Sequence, residues 1–159
     1  MLQRIQTLFL LGVIAILITI SFWGDFFVYM TNEGFYYFNA EGMVKKTLDN
    51  KEIMEKEEIP FHVISMALAV FAFYILLSYK NLRRQLAYAK LFWGLYFVAL
   101  ISIVVANFYI VPSYIEPEIL RSNFSYNFYL MVIGLPFAHL AMVNIGKDKN
   151  KIDSLNRLR

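Results

Sequence analysis

The sequence predicts an all-α membrane protein, a bundle of four transmembrane helices, and two observations carry that reading. Hydrophobic residues make up 59% of the 159 positions, against roughly 45–50% in ordinary globular chains. They are also gathered into long blocks, where a soluble core would mix apolar and polar positions at helical or strand spacing. The mean hydropathy of +0.52 has the same sign.

The first block runs from Thr7 to Trp23, interrupted only by Gly12, Thr19 and Ser21. At 1.5 Å per residue it nearly crosses a hydrocarbon layer of roughly 30 Å, and Phe26 to Met30 extend it. Arg4 ahead of an apolar run also suits a signal peptide, but Ser21 to Asp25 hold no small-residue cleavage pattern, so a retained anchor is expected. The second block, Phe61 to Tyr79, follows Pro60, whose missing N–H is harmless in a first helical turn. The third, Leu91 to Val111, stops before Pro112. The fourth, Tyr126 to Ile145, stops at Gly146. The chain thus reads as a single integral membrane domain over 1–159, with spans at about 7–29, 60–80, 88–111 and 126–145.

Lysine and arginine resist translocation, so their places in short connections set orientation. Arg4, then Lys80, Arg83, Arg84 and Lys90 around the inner turn 80–87, then Lys147, Lys149, Lys151, Arg157 and Arg159 in the tail 146–159, all fall on one side. Both termini are therefore expected in the cytoplasm. The outer loop 30–59 carries Lys45, Lys46, Lys51 and Lys56 among seven acids, most of these lysines far from the membrane boundary. Within it, Phe35 to Phe38 and Met43-Val44 around Asn39 to Gly42 read as a short β-hairpin, and Leu48 to Glu58 as a helical turn or two. Ile145, Ile152, Leu155 and Leu158 give the tail an amphipathic signature, suited to a short helix lying on the inner leaflet.

Helices in lipid approach through small residues. Gly12, Ala15 and Thr19; Ser65, Ala69 and Ala72; Ala99, Ser102 and Ala106; and Gly134, Ala138 and Ala141 each share a helix face. Pro136 removes a backbone hydrogen bond inside the fourth span and predicts a bend there. Trp23, Tyr29, Tyr109, Tyr114, Tyr126 and Tyr129 are expected as an outer aromatic belt, and Trp93 and Tyr88 as the inner one.

His139 is the titratable residue well inside a span, a place where ionisable groups are costly and mark function. A helical step of 100° puts it about 140° from Gly134, away from the small-residue face, which suits an oligomer contact or a lipid-facing neutral imidazole. Asn107 and Asn144 lie near helix ends, within reach of backbone groups. Asp25 and His62 share the outer boundary and are candidates for a hydrogen-bonded pair. His139, Pro136 and Asn107 are the candidate functional or oligomer contacts; Arg83, Arg84, Arg157 and Arg159 are the candidate basic contacts of the inner face.

With zero cysteines the chain has no disulfide framework, thiolate metal site or cysteine nucleophile. It carries no G-x-S-x-G, H-E-x-x-H or phosphate-binding glycine loop, so no catalytic, cofactor or metal residues are assigned and no enzyme is expected. The net charge of +3 sits beside apolar blocks, so membrane orientation accounts for it and nucleic acid is not an expected partner.

The opening Met1 to Thr7, the inner turn Tyr79 to Gln85 and the ending Lys147-Asp148-Lys149 through Ser154 to Arg159 together resemble the four-helix membrane proteins of the Bacteroidota grouped as domain of unknown function 4293. The resemblance implies a bacterial inner-membrane location and four spans. It supplies no activity and no site residues. The expected role is a non-catalytic accessory or structural subunit of an inner-membrane assembly, with the lipid bilayer and a membrane-protein partner or second copy as contacts. A small oligomeric transporter or channel, lined by His139, Asn107 or Ser102, is the alternative.

Overall fold

A computed structural model describes residues 3–47, 53–58, 61–115 and 118–157. Four helices in it are long and apolar enough to cross a membrane, over Ile5–Phe22, Phe61–Lys80, Leu82–Tyr114 and Tyr126–Leu155. In chain order the elements are α1 (Gln3–Phe22), β1 (Asp25–Thr31), β2 (Gly34–Asn39), β3 (Gly42–Thr47), β4 (Ile53–Glu58), α2 (Phe61–Leu77), α3 (Leu82–Val105), β5 (Ile119–Phe124) and α4 (Tyr126–Arg157). A π-helical turn, Ala106–Ile110, and a 3₁₀ turn, Val111–Tyr114, extend α3 past Pro112. The all-α expectation is corrected by a five-stranded antiparallel sheet in the order β4-β3-β2-β1-β5.

Each helix buries one seam at alternating spacings of four and three: Gln6, Leu10, Val13, Leu17 and Ile20 in α1; Phe61, Ser65, Leu68, Ala72 and Ile75 in α2; Gln85, Ala89, Phe92, Tyr96, Ala99 and Ile103 in α3; Asn127, Met131, Gly134, Ala138, Ala141, Ile145 and Asp148 in α4. That spacing keeps one face of a helix toward its neighbours over many turns. α1 packs between α2 and α4, α3 packs on α4, and α2 closes on α3 more loosely. The small-residue faces expected in α2 and α4 are the ones buried. In α1 Ala15 is exposed, and in α3 Ala99 is buried while Ser102 is exposed.

Gly134 shows why one small residue is required. The Tyr96 hydroxyl donates to the Met131 carbonyl at 3.0 Å, and a Cβ at Gly134 would collide with it. Gly146 continues α4 instead of ending it. A glycine inside a helix costs only ~1 kcal/mol relative to alanine, and its open flank admits Leu86 to 3.7 Å of where a Cβ would stand. The tail is therefore not a separate helix: α4 runs unbroken through Arg157, with Ile152 and Leu155 exposed. Leu158 lies outside the described residues. Pro136 sits within α4 on an exposed side without ending it.

The sheet lies across one end of the bundle. β1 leaves α1 at Gly24, where φ is +83° and a glycine is favoured, so Phe26 to Met30 are strand rather than an extension of the first span. Phe27, Tyr29, Tyr36, Phe38 and Met43 form the buried face, in cross-strand register as Phe27↔Phe38, Tyr29↔Tyr36 and Phe38↔Met43. The expected hairpin is β2–β3, its turn held by Asn39 Oδ1 accepting from the backbone N–H groups of Glu41 and Gly42 at 2.9 and 3.0 Å. Besides β1, two further strands were not expected. β4 takes the place of the helical turns read over 48–58, of which 48–52 lie outside the described residues. β5 comes from the connection between the third and fourth spans.

Replacing Gly134 with alanine is expected to lower stability by about 1–3 kcal/mol, the usual cost of overpacking. Thermal unfolding in detergent reads this, and the loss should shrink in a Tyr96→Phe background, where the obstructing hydroxyl is gone.

Candidate functional site

The polar side chains of the bundle fall into two layers, one under the sheet and one at the opposite, tail end. Under the sheet, the Tyr29 hydroxyl donates to Asn107 Oδ1 and reaches the Asn107 carbonyl at 3.2 Å. Asn107 faces inward four residues after Ile103, a spacing that keeps one helix face, and lies within the π turn; π turns of this kind recur at functional positions. Burial pushes the Tyr29 hydroxyl pKa upward, so it stays a donor. Ser21 and Ser65 meet through their hydroxyls at 2.7 Å, joining α1 to α2. Asn127 donates to the carbonyls of Ile20 and Gly24 at 3.4 and 2.8 Å, joining α4 to the α1–β1 link. Tyr29 is thus a buried tie, not a member of the outer aromatic belt. Trp23, Tyr109, Tyr114, Tyr126 and Tyr129 are exposed.

Two hollows open beside this layer. An apolar pocket of about 110 Å³ lies between α2 and the π turn, lined by residues including Phe61, Ile64, Ser102 and Val111. A polar cleft of about 210 Å³ runs along the α1–β1 link and the β2–β3 turn and includes Ser21, Asp25, Asn39 and Glu41. The expected Asp25–His62 pair does not form. His62 instead donates its backbone N–H to the Ala40 carbonyl at 2.8 Å, with Nδ1 at 3.3 Å from the same oxygen. Burial holds the Asp25 carboxyl above the usual carboxylate range, and Lys46 pulls it back only in part.

The outward face of the sheet carries Val28, Met30, Phe35, Tyr37 and Val44, paired across strands as Val28↔Tyr37↔Val44 and Met30↔Phe35. Lys46, opposite Phe35, lies over the Tyr37 ring at 4.7 Å. On the buried row, Lys45 lies over Tyr36 at 5.3 Å and pairs with Glu33 at 2.9 Å; both partners raise its pKa, so it stays charged. Strand β5, bonded to β1 on one side, is exposed along nearly all its length.

At the tail end, Gln85 donates Nε2 to the Ile75 carbonyl at 3.1 Å, linking α3 to α2. Gln6 Oε1, Gln85 Oε1 and Asp148 Oδ2 are buried acceptors without a hydrogen-bond partner. Sequence reasoning missed all three, although the four-and-three spacing that places Ala89 and Ile145 inward also reaches Gln85 and Asp148. Arg83 and Arg84 are exposed in the first turn of α3; the Arg84 backbone N–H is capped by Asn81 Oδ1 at 3.2 Å. Arg157 is the last residue of α4, and Arg159 lies outside the described residues. His139 is exposed on α4, its ring 5.8 Å from that of Trp93. Asn144 bonds its own helix, Nδ2 to the Leu140 carbonyl at 2.9 Å. The candidates therefore do not converge: Asn107 belongs to the sheet end, Pro136 and His139 to the outer surface of α4, and Arg83, Arg84 and Arg157 to the tail end.

Two outcomes test this geometry. Tyr29→Phe strands a buried amide oxygen and is expected to cost about 1–3 kcal/mol of stability in detergent unfolding. Asp25 has a raised pKa when folded, so its favourable contribution is complete below the ordinary value of 3.8 and is lost as pH rises through the folded value. Asp25→Asn should therefore melt higher than wild type at neutral pH, with the gap closing in acid.

No curated protein matches the chain. A model built for one family does match, over residues 2–158. By that coverage the chain belongs to the family described as domain of unknown function (DUF4293).

Proposed function

We propose that the protein is a non-catalytic accessory or structural subunit of a bacterial inner-membrane assembly, with both termini cytoplasmic and the sheet on the outer side. The observation that carries the reading is the sheet: its inner face is pinned to the bundle through Tyr29 and Asn107, and its outer face presents Val28, Met30, Phe35 and Tyr37. An apolar row on a rigid platform above the membrane is the composition of a protein-contact surface. The polar groups under the sheet support the same reading, because Ser21, Ser65, Asn107 and Asn127 are engaged in ties between elements. The lysine and arginine distribution supports the orientation.

A second reading, a small oligomeric transporter or channel, is favoured by Gln6, Gln85 and Asp148, whose unpartnered acceptors would suit a cationic or hydrogen-bonding solute. It must contend with Phe92, Tyr96, Leu17 and Ala138, which fill the bundle between the two polar layers.

Crosslinking in native membranes, mild extraction and mass spectrometry distinguish the two. The subunit reading expects a reproducible partner that is lost in a Phe35→Asp, Tyr37→Asp variant whose melting temperature is unchanged. Recovery as a lone monomer would overturn it. Liposome flux abolished by His139→Ala would support transport instead.

A further inference from the structure

The sheet has two outer strands, and their edges differ. β4 carries Glu55, Lys56, Glu57 and Glu58, the kind of charged guard that keeps an edge from pairing further. β5 carries Arg121 as its one charge and leaves Leu120 and Phe124 exposed. Among the described residues no element pairs with its outer side. The ladder with β1 tells which backbone groups face that side. Ser125 donates its N–H to the Phe26 carbonyl at 2.8 Å, so these two residues form a hydrogen-bonded pair, and in an antiparallel ladder such pairs alternate with non-bonded ones. Along the register, Asn123 opposite Val28 and Arg121 opposite Met30 turn their backbone groups toward β1, whereas Phe124 opposite Phe27 and Ser122 opposite Tyr29 turn theirs toward the open edge.

Symmetry and charge decide which strand fits there. Copies in one membrane stand the same way up, so a two-fold axis relating two of them runs along the membrane normal. The sheet lies across the end of the bundle, so that axis crosses it face-on, and two β5 edges related in this way run antiparallel in a self-complementary contact. Such an axis sets one residue opposite itself. With Ser122 on the axis, Arg121 meets Asn123 of the second copy; with Asn123 on it, Ser122 meets Phe124 and Arg121 meets Ser125. Both registers join outward-turned backbone to outward-turned backbone and keep the two arginines from direct opposition, where like charges destabilise a pair. The irregularity between Met30 and Thr31, which leaves Leu120 without a partner on β1, disturbs the other end of the strand, so the contact centres on residues 122–124. We infer that β5 is the contact between two copies of this chain, whose sheets join there into one continuous sheet. The inference rests on the membrane setting proposed above and needs no foreign partner.

The chain has no cysteine, so single substitutions read the contact directly. In native membranes under mild oxidation, Ser122→Cys should give a disulfide-linked dimer, whereas Tyr109→Cys, exposed at the same end, should not. The full chain in mild detergent should appear as a dimer by native mass spectrometry. Ser122→Pro removes an edge N–H that the β1 ladder does not use, and Ser122→Lys keeps the backbone and adds a guarding charge. Each should weaken the dimer at least about tenfold, on the scale of one or two lost hydrogen bonds, with the circular dichroism of the wild type retained as the folding control. A monomer in detergent together with no Ser122→Cys dimer in membranes would overturn the inference. So would a dimer that neither variant weakens, or a crosslink from Ser122→Cys to a protein of another mass, because a foreign strand would then occupy the edge. Labelling of reduced Ser122→Cys by a membrane-impermeant maleimide in intact cells reads the proposed orientation separately: a dimer without labelling would overturn the outer placement of the sheet and leave the pairing in force.

Discussion

The contact on which the sheet end depends is the tie between Tyr29 and Asn107. It unites the two halves of the architecture: Tyr29 stands on β1, the strand that follows α1 and pairs with both β2 and β5, and Asn107 stands on the far end of α3. Asn107 lies four residues beyond Ile103, a spacing that keeps it on the buried face of α3, at the level where the sheet begins.

In the membrane setting proposed above, hydrogen bonds take this role because of the solvent. Helices surrounded by lipid gain little by hiding apolar surface from one another, so close packing and a few interhelical bonds decide their arrangement. Each bond found here joins a different pair of elements: Ser21 to Ser65 for α1 and α2, Tyr96 to Met131 for α3 and α4, Asn127 to Gly24 for α4 and the α1–β1 link, Gln85 to Ile75 for α3 and α2. A small number of polar side chains is thus distributed around the whole ring. The loosest pair, α2 with α3, is also the one beside the apolar pocket.

The helical half of the fold was legible in the sequence because its signals are local and strong. Long apolar blocks mark spans whatever they pack against, and the outward direction of His139 follows from helical pitch alone. The buried faces were legible only in part. Small residues mark α2 and α4, but the inward face of α1 is mostly large residues and that of α3 mixes Ala89 and Ala99 with Phe92, Tyr96 and Ile103, in an apolar background where a leucine on the outer face reads the same as a leucine facing its neighbours. The sheet was harder still. β2 and β3 show alternation and a turn, whereas β4 is Ile-Met-Glu-Lys-Glu-Glu and β5 is Ile-Leu-Arg-Ser-Asn-Phe. Such edge strands are held by backbone pairing with an inner strand, and charge on an edge is tolerated because it discourages further pairing. Tyr29 was misread for a related reason, since an aromatic beside a span reads as a belt residue until a sheet is known to cover it.

The same distinction separates the residues that build the molecule from those available to act outside it. Asn107 drew attention as a polar residue in a span, and its hydrogen-bonding capacity is consumed within the fold. Trp93 drew attention as an ordinary interfacial aromatic, yet its N–H is left over once the internal bonds are made. In hydrocarbon a donor left over is more informative than a donor present, because water is not there to take up the remainder. By that measure the tail end differs from the sheet end: Gln6, Gln85 and Asp148 inside the bundle and Trp93 on its flank keep unmet capacity, while the layer beneath the sheet, apart from Asn127 Oδ1, is closed on itself. The sheet end is therefore built to be rigid, and the unmet hydrogen-bonding capacity among the described residues is concentrated toward the tail end.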